Sequence, residues 1–232
     1  MGNAKEQIEK LLSDIQEGKI NPLKAWSLID ALKSQYVSEN NQQSWNSFIG
    51  HRFEGMIHAI IKAYIARLKA EDAQYNGLNI LTEAEIKANE ILKRKMVVKY
   101  GGDFYLLPDI DSAIVWLEKK EPWKSEVLSI ISCKTSLRER IAQSCYWKLK
   151  LLSSDVTKGI KIYLATTDND DDFIIKTDGE RYNGKSRDRI ISEHEIDGVY
   201  ILKENFGKDC ESEVVKRFEK IFQDIVALIK EK

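Results

Sequence analysis

Apolar residues recur at helical spacing through the first part of the chain and in short β-branched runs through the second. Residues 3–16 place Ile8, Leu11, Leu12 and Ile15 on one face and predict an amphipathic helix. After the break at 18–22 a second helix is expected over 23–36. A polar stretch, 38–43, precedes a wide stripe (Trp45, Phe48, Phe53, Met56, Ile57, Ile60, Tyr64, Leu68) that predicts a long central helix over 44–69. Thr82 followed by Glu85 has the spacing of a capping box and starts a helix to about residue 95, after the turn at Asn76-Gly77.

From residue 96 the period changes. Runs at 96–98, 104–107, 113–117, 127–131, 160–166 and 199–202 read as strands, with a crossover helix over 138–152 and a last helix over 212–230. The segment 168–193, rich in Asp, Gly, Lys and Arg, reads as a long loop or ribbon of the kind that often carries recognition. The order is that of an α/β protein with a central sheet flanked by helices. Its organisation is read as a helical N-terminal region, 1–40, serving dimerisation or DNA contact, ahead of one domain over 41–232.

Composition narrows the class. The 232 residues are 43% hydrophobic, enough for a packed core, and 36 Lys and Arg against 37 Asp and Glu leave a net charge of -1. A strongly basic nucleic-acid binder is excluded, so any DNA contact rests on local basic clusters. Three cysteines without regular spacing argue against a disulfide framework and a zinc site, and fit a reduced cytoplasm. No apolar run approaches the roughly 18 residues of a membrane span, and no secretory signal is read at the N-terminus.

The chemistry concentrates at two strand ends. Pro108-Asp109-Ile110-Asp111 opens one apolar run, and Ser132-Cys133-Lys134 closes another one hairpin's length downstream. Side chains alternate along a strand, so Ser132 shares a face with Lys134, and Asp109 with Asp111. If the two strands pair, a carboxylate and a lysine converge. A carboxylate can hold a divalent metal, and a neighbouring lysine can orient or deprotonate the attacking water at a phosphodiester. Glu54, at the edge of the central stripe, is a candidate second carboxylate or an ordinary boundary glutamate. Arg138-Glu139-Arg140 offers donors for guanine O6 and N7 and an acceptor for cytosine N4, or else a solvated helix start. Arg181, Lys185, Arg187 and Arg189 form a basic cluster that either lines a DNA cleft, with steeply salt-dependent binding, or is a solvated loop. The three histidines lack metal-ligand spacing and are assigned no chemistry.

Two stretches resemble one family. Ser132 to Arg140 is similar to the lysine followed by Arg-(Asp/Glu)-Arg signature of type II restriction endonucleases of the PD-(D/E)XK superfamily, in the group that reads CCGG and CCNGG. Ser44-Trp45 with Gly50-His51-Arg52-Phe53-Glu54-Gly55-Met56-Ile57 resembles the central helix of the BsaWI-type enzymes. The resemblance implies a restriction-endonuclease-like (PD-(D/E)XK) core, a mixed sheet flanked by helices with a helical N-terminal layer. It implies metal binding by Asp111 or Asp109 and water activation by Lys134. One or two Mg²⁺ ions would serve each site. The position two before the lysine, often acidic in the superfamily, is Ser132. The glutamate that replaces it from the following helix in the CCGG group is absent from residues 141–148, which leaves Glu54, or Gln143 as a neutral substitute. The resemblance further implies base contacts from Arg138, Glu139 and Arg140, and double-stranded DNA with a short palindrome containing GG/CC as substrate. A homodimer or higher oligomer, a cognate DNA methyltransferase as functional partner and a prokaryotic cytoplasm follow from it too. A non-specific or repair-type nuclease with the same core and a catalytically inactive DNA-binding module are the competing readings.

Overall fold

The computed structural model describes residues 3–137, 140–176 and 181–230. Asn3 caps α1 (Ala4–Gln16), and Asn21 with Pro22 starts α2 (Pro22–Ala31). Gly18, at φ 71, supplies the left-handed residue that ends α1. The single helix expected over 23–36 is two: at Leu32 the N–H bonds back to Ile29 O, tightening the turn, and α3 (Lys33–Glu39) follows. Tyr36 of α3 packs against Trp45 and Phe48, at ring separations of 5.4 and 5.1 Å. Asn41 then caps α4 (Gln42–Glu71), the long central helix the stripe predicts.

The capping box forms as its spacing predicts, with Thr82 N–H donating to Glu85 and Glu85 N–H to the Thr82 hydroxyl. The helix it starts is shorter than expected. Asn89 accepts from the N–H groups of Ile91 and Leu92, closing α5 (Glu83–Ala88) and capping α6 (Glu90–Arg94).

Six strands make the main sheet: β1 (Leu78–Thr82), β4 (Ser112–Trp116), β5 (Glu126–Lys134), β6 (Lys161–Thr166), β7 (Gly198–Ile201) and β8 (Val215–Arg217), adjacent in that order. β1, β4 and β5 are antiparallel neighbours, and β5 through β8 run parallel. A separate two-stranded ribbon pairs β2 (Val98–Tyr100) with β3 (Phe104–Leu106). Three more helices complete the chain: α7 (Arg140–Leu152), α8 (Arg187–Glu195) and α9 (Ile221–Lys230).

The sheet is covered on both faces. Ile114, Ile131, Cys133, Tyr163 and Tyr200 turn to the side of α4 and α9, in one core with Ile8, Trp26 and Tyr36 of α1 to α3. Ala113, Val115, Ile130, Ile162 and Val199 turn to the side of α5 to α8, against Ile86, Ile141 and Cys145. This is the mixed sheet between helical layers that the resemblance implies. The three cysteines are free and buried, and among the described residues no helix is long and apolar enough to cross a membrane.

Two strands escaped the sequence pattern. β1 is short and carries Asn79 and Thr82, and β8 adjoins a helical pattern that begins early but becomes a helix only at Ile221. The 168–193 segment is also more ordered than a loop, since Ser186 caps α8 within it. Its arginines do structural work. Arg181 donates to the carbonyls of Ile174 and Asp171, and Lys185 pairs with Glu193 at 2.5 Å. Arg189, 1% exposed, donates to the carbonyls of Phe173 and Cys210 and to Glu193. The basic cluster is therefore largely consumed by the fold, and of these four only Arg187 is exposed.

Arg189→Ala leaves those acceptors unpaired and should lower unfolding free energy by about 3 kcal/mol or more. Arg187→Ala should change it by less than about 0.5 kcal/mol. Urea titrations of both variants check the contrast, and equal effects would contradict it.

Candidate active site

The site begins where the β4–β5 ladder ends. Ser112 pairs with Ile131, so Asp111, one residue before β4, lies beside the last residues of β5. There the Cys133 N–H points beyond the end of β4. The Asp111 carboxylate takes its place as acceptor: Oδ2 receives Cys133 N at 2.6 Å and Lys134 Nζ at 2.9 Å. Asp111 and Lys134 side chains are 13% and 12% exposed, buried enough to feel each other strongly and open enough to meet a substrate.

Burial by itself would lower the Lys134 ammonium, but the charge and hydrogen bond of Asp111, with Asp109 and Glu54 behind it, outweigh burial and hold it above its ordinary value. Lys134 is thus a fixed positive charge and hydrogen-bond donor in the resting protein. Cys133 points to the α4 side, and burial, then Asp111, push its thiol well up, so it is no nucleophile.

Glu54 approaches from α4. Phe53 and Ile57 are locked in the apolar core, which fixes the helix and leaves Glu54 half-buried at the rim. Its carboxyl is raised, first by burial and then by the charge of Asp111, against the opposing pull of Lys134 and His51. His51, one turn back, lies 3.6 Å from Glu54 Oε2. His58, one turn on, meets the Ser112 hydroxyl at 2.9 Å through Nδ1. Neither histidine was assigned chemistry from the sequence, although both sit at helical spacing from Glu54 on one face of α4, a signal that spacing alone carries.

The remaining candidates are spread around this centre. Asp109 is exposed and lines a small pocket between β5 and α7 with Ser132, Gln143 and Ser144. It acts on Lys134 by charge, while Asp111 makes the direct contact. Arg140 is exposed at the start of α7, whose N-terminus is anchored by buried Leu137. Arg138 and Glu139 lie outside the described residues. Lys185 is tied to Glu193, and Arg187 stands on the first turn of α8.

The donor set suits a hard divalent cation. Among the described residues Asp111 Oδ1 accepts no hydrogen bond, and the ionised form of Glu54 is penalised first by burial and then by the charge of Asp111, the second of which a bound cation would relieve. Among the described residues no three Asp, Glu, His or Cys side chains group closely enough to hold a metal unaided. Two carboxylates completed by water and a substrate phosphate is the usual arrangement for Mg²⁺.

Residues 88–224 match a family model described as BsaWI restriction endonuclease type 2, a span that includes Asp109, Asp111, Lys134 and α7. A putative type II restriction enzyme, MjaVIP, of Methanocaldococcus jannaschii is 36% identical over 205 residues, 85% of this chain and 82% of that protein. A probable type II restriction enzyme, HpyAORF263P, of Helicobacter pylori is 31% identical over 158 residues, 62% of this chain and 75% of that one. A solved restriction endonuclease PspGI–substrate DNA complex aligns with a TM-score of 0.48 and 15% identity, over 100% of this chain and 95% of that one.

Because Glu54 is raised in the folded protein, its contribution to stability without metal is present at low pH and lost as pH rises through the raised value. In Asp111→Asn the neighbouring negative charge is gone, so Glu54 should titrate at lower pH than in the wild type. A carbon-detected NMR titration of the Glu54 carboxyl reads this directly; an unchanged or higher midpoint would contradict the convergence of the two side chains.

Proposed function

The chain belongs to the BsaWI-type family of type II restriction endonucleases, and from that membership we propose that it hydrolyses phosphodiester bonds of double-stranded DNA at a short palindrome containing adjacent G·C pairs, with Mg²⁺ as cofactor. The observation that carries the catalytic part is the Asp111–Lys134 ion pair at the end of β5 with Glu54 brought to it by α4.

Asp111 and Glu54 would hold the cation, which when bound neutralises charge developing on the phosphate and lowers the pKa of a bound water. Lys134 works through its own charge. Held above its ordinary value, it donates hydrogen bonds to the attacking water and to a phosphate oxygen, which orients the water and favours the more negative transition state. The hydrogen bond from Lys134 to Asp111 holds its ammonium in place for this orienting role. The Cys133 N–H and Lys134 together fix the carboxylate of Asp111, so the ligand is aimed before substrate arrives. Ser132 and Gln143 share a pocket with Asp109 and serve as neutral neighbours of the catalytic centre.

Specificity is assigned to the start of α7. Arg138 and Arg140 would donate to guanine O6 and N7 and Glu139 accept from cytosine N4, as the resemblance implies. Of the distal basic residues, Arg187 is free to meet phosphate, with Lys185 available once released from Glu193. A palindrome is read by two copies of the chain related by a two-fold axis. Such an enzyme works in a prokaryotic cytoplasm beside a methyltransferase that protects the same site.

Digestion of plasmid DNA of known sequence tests the proposal. With Mg²⁺ the protein should give discrete fragments whose ends map to one palindrome with GG or CC, and EDTA should abolish them. Lys134→Ala and Glu54→Gln should each slow cutting by about 10²-fold or more while leaving the fold intact by circular dichroism. Smears without a common end would favour the non-specific nuclease. Absence of cutting with several metals and DNAs would favour a binding module.

A further inference from the structure

A polar contact joins α4 to the start of β4 inside an interface that is otherwise apolar. Side chains alternate along β4, so Ser112 turns with Ile114 toward α4 while Ala113 turns to the other face. On the α4 side Phe53, Ile57 and Ile61 of the helix share one core with Ile114 and Ile131 of the sheet. Ser112 is 2% exposed, and its hydroxyl meets His58 Nδ1 at 2.9 Å. A buried hydroxyl is costly to leave unpaired, and alanine would meet the same surroundings without needing a partner. Packing alone therefore calls for neither the serine nor the histidine.

The pair sits close to both carboxylates of the candidate cation site. Glu54 lies one turn before His58 on α4, about 6 Å along the helix, and Asp111 is the residue before Ser112, about 3.8 Å along the chain. Apolar packing is non-directional, so it holds α4 on the sheet while tolerating a small slide. A hydrogen bond is limited in both length and angle, and it fixes the slide where it is made. α4 is tied to the sheet again toward its other end, where Lys69 Nζ donates to Asn79 Oδ1 of β1 at 2.8 Å. That bond is about 22 Å along the helix from Glu54, too far away to set its position. Burial, then the charge of Lys62, hold the His58 ring below its ordinary value against the pull of Glu85. At neutral pH the ring is therefore uncharged and adds no repulsion to a nearby cation.

Resting on the reading of Asp111 and Glu54 as a cation site, we propose that His58 is a positioning residue whose bond to Ser112 sets Glu54 against Asp111 and thereby tunes the affinity of the site for its cation. His58 touches neither cation nor substrate; it acts through the two elements that carry the ligands. Mg²⁺ demands near-ideal octahedral geometry with oxygens at about 2.0–2.1 Å, so a slide of α4 by a fraction of an ångström reaches the cation before it disturbs the core. Groups behind the ligands of a metal site commonly change its affinity by about 10- to 100-fold.

Mn²⁺ binding to the full chain, followed by loss of the free-ion signal in electron paramagnetic resonance, tests this apart from cleavage. Ser112→Ala and His58→Leu should each raise the Mn²⁺ dissociation constant by about 10-fold or more while remaining folded by circular dichroism. His58→Asn, whose amide presents a donor and an acceptor near the place of Nδ1, should restore it to near the wild-type value. Lys69→Met removes the distant tie and should leave Mn²⁺ affinity unchanged. Wild-type affinity in Ser112→Ala, an equal loss in Lys69→Met, or His58→Asn as weak as His58→Leu would each overturn the proposal and spare the cation site. A wild type that binds no Mn²⁺, or binds it no better than Asp111→Asn, would overturn the cation site and this proposal with it.

Discussion

One carboxylate joins the fold to the chemistry. Asp111 completes the end of the β4–β5 ladder by accepting the Cys133 N–H, and with the same oxygen it holds Lys134. Everything else in the site depends on the register that puts Asp111 there, Ser112 against Ile131. A slip of one residue would turn Ile131 and Cys133 out of the α4-side core and carry Lys134 to the wrong face. The register is therefore set by burial on both faces of the sheet, and the active-site geometry follows from packing. A shift of pairing between Ile114 and Val115 absorbs an extra residue of β5 further along, leaving the functional end regular.

The electrostatics follow from that placement. Two carboxylates and one ammonium share a half-buried rim, and their arrangement is asymmetric: Asp111 is satisfied by Lys134 and a backbone donor, whereas Glu54 is left partly frustrated by burial and by Asp111. Frustration of one carboxylate beside a satisfied one is the condition in which a cation is most welcome, since it relieves the first without having to displace the partners of the second. α4 makes this persist. Glu54 is carried on a 30-residue helix whose opposite side is braced by α1 to α3, so it has little freedom to retreat into solvent.

Legibility in the sequence tracked how local each determinant was. The amphipathic patterns of α1, α4 and α7, the Thr82–Glu85 box and the β-branched runs are decided within a few residues, and they were read at nearly their true bounds. Asp111 and Lys134 were legible for the same reason, each sitting at the end of an apolar run. β1 and β8 were missed because a short strand at a sheet edge needs little apolar pattern of its own. The helix break at Asn89 was missed because its capping side chain competes with a continuing helix. Arg189 shows the limit most clearly: the sequence groups it with Arg181, Lys185 and Arg187 as a cleft lining or a solvated loop, yet its guanidinium is spent on carbonyls 16 and 21 residues away. Long-range partners of that kind leave no local pattern. The electrostatic coupling of Glu54 to Asp111 is likewise long-range: the edge of the central stripe marks Glu54 as a candidate, and nothing local separates it from an ordinary boundary glutamate.

The central claim is that Asp111 and Glu54 together form the cation site that serves Lys134. A crystal of the protein with duplex DNA and Mn²⁺, with anomalous scattering recorded at the manganese edge, tests it most directly. The account predicts an anomalous peak shared by the Asp111 and Glu54 carboxylates, beside Lys134. A peak held instead by Asp109 in the pocket of Ser132 and Gln143, with Glu54 unengaged, would contradict it.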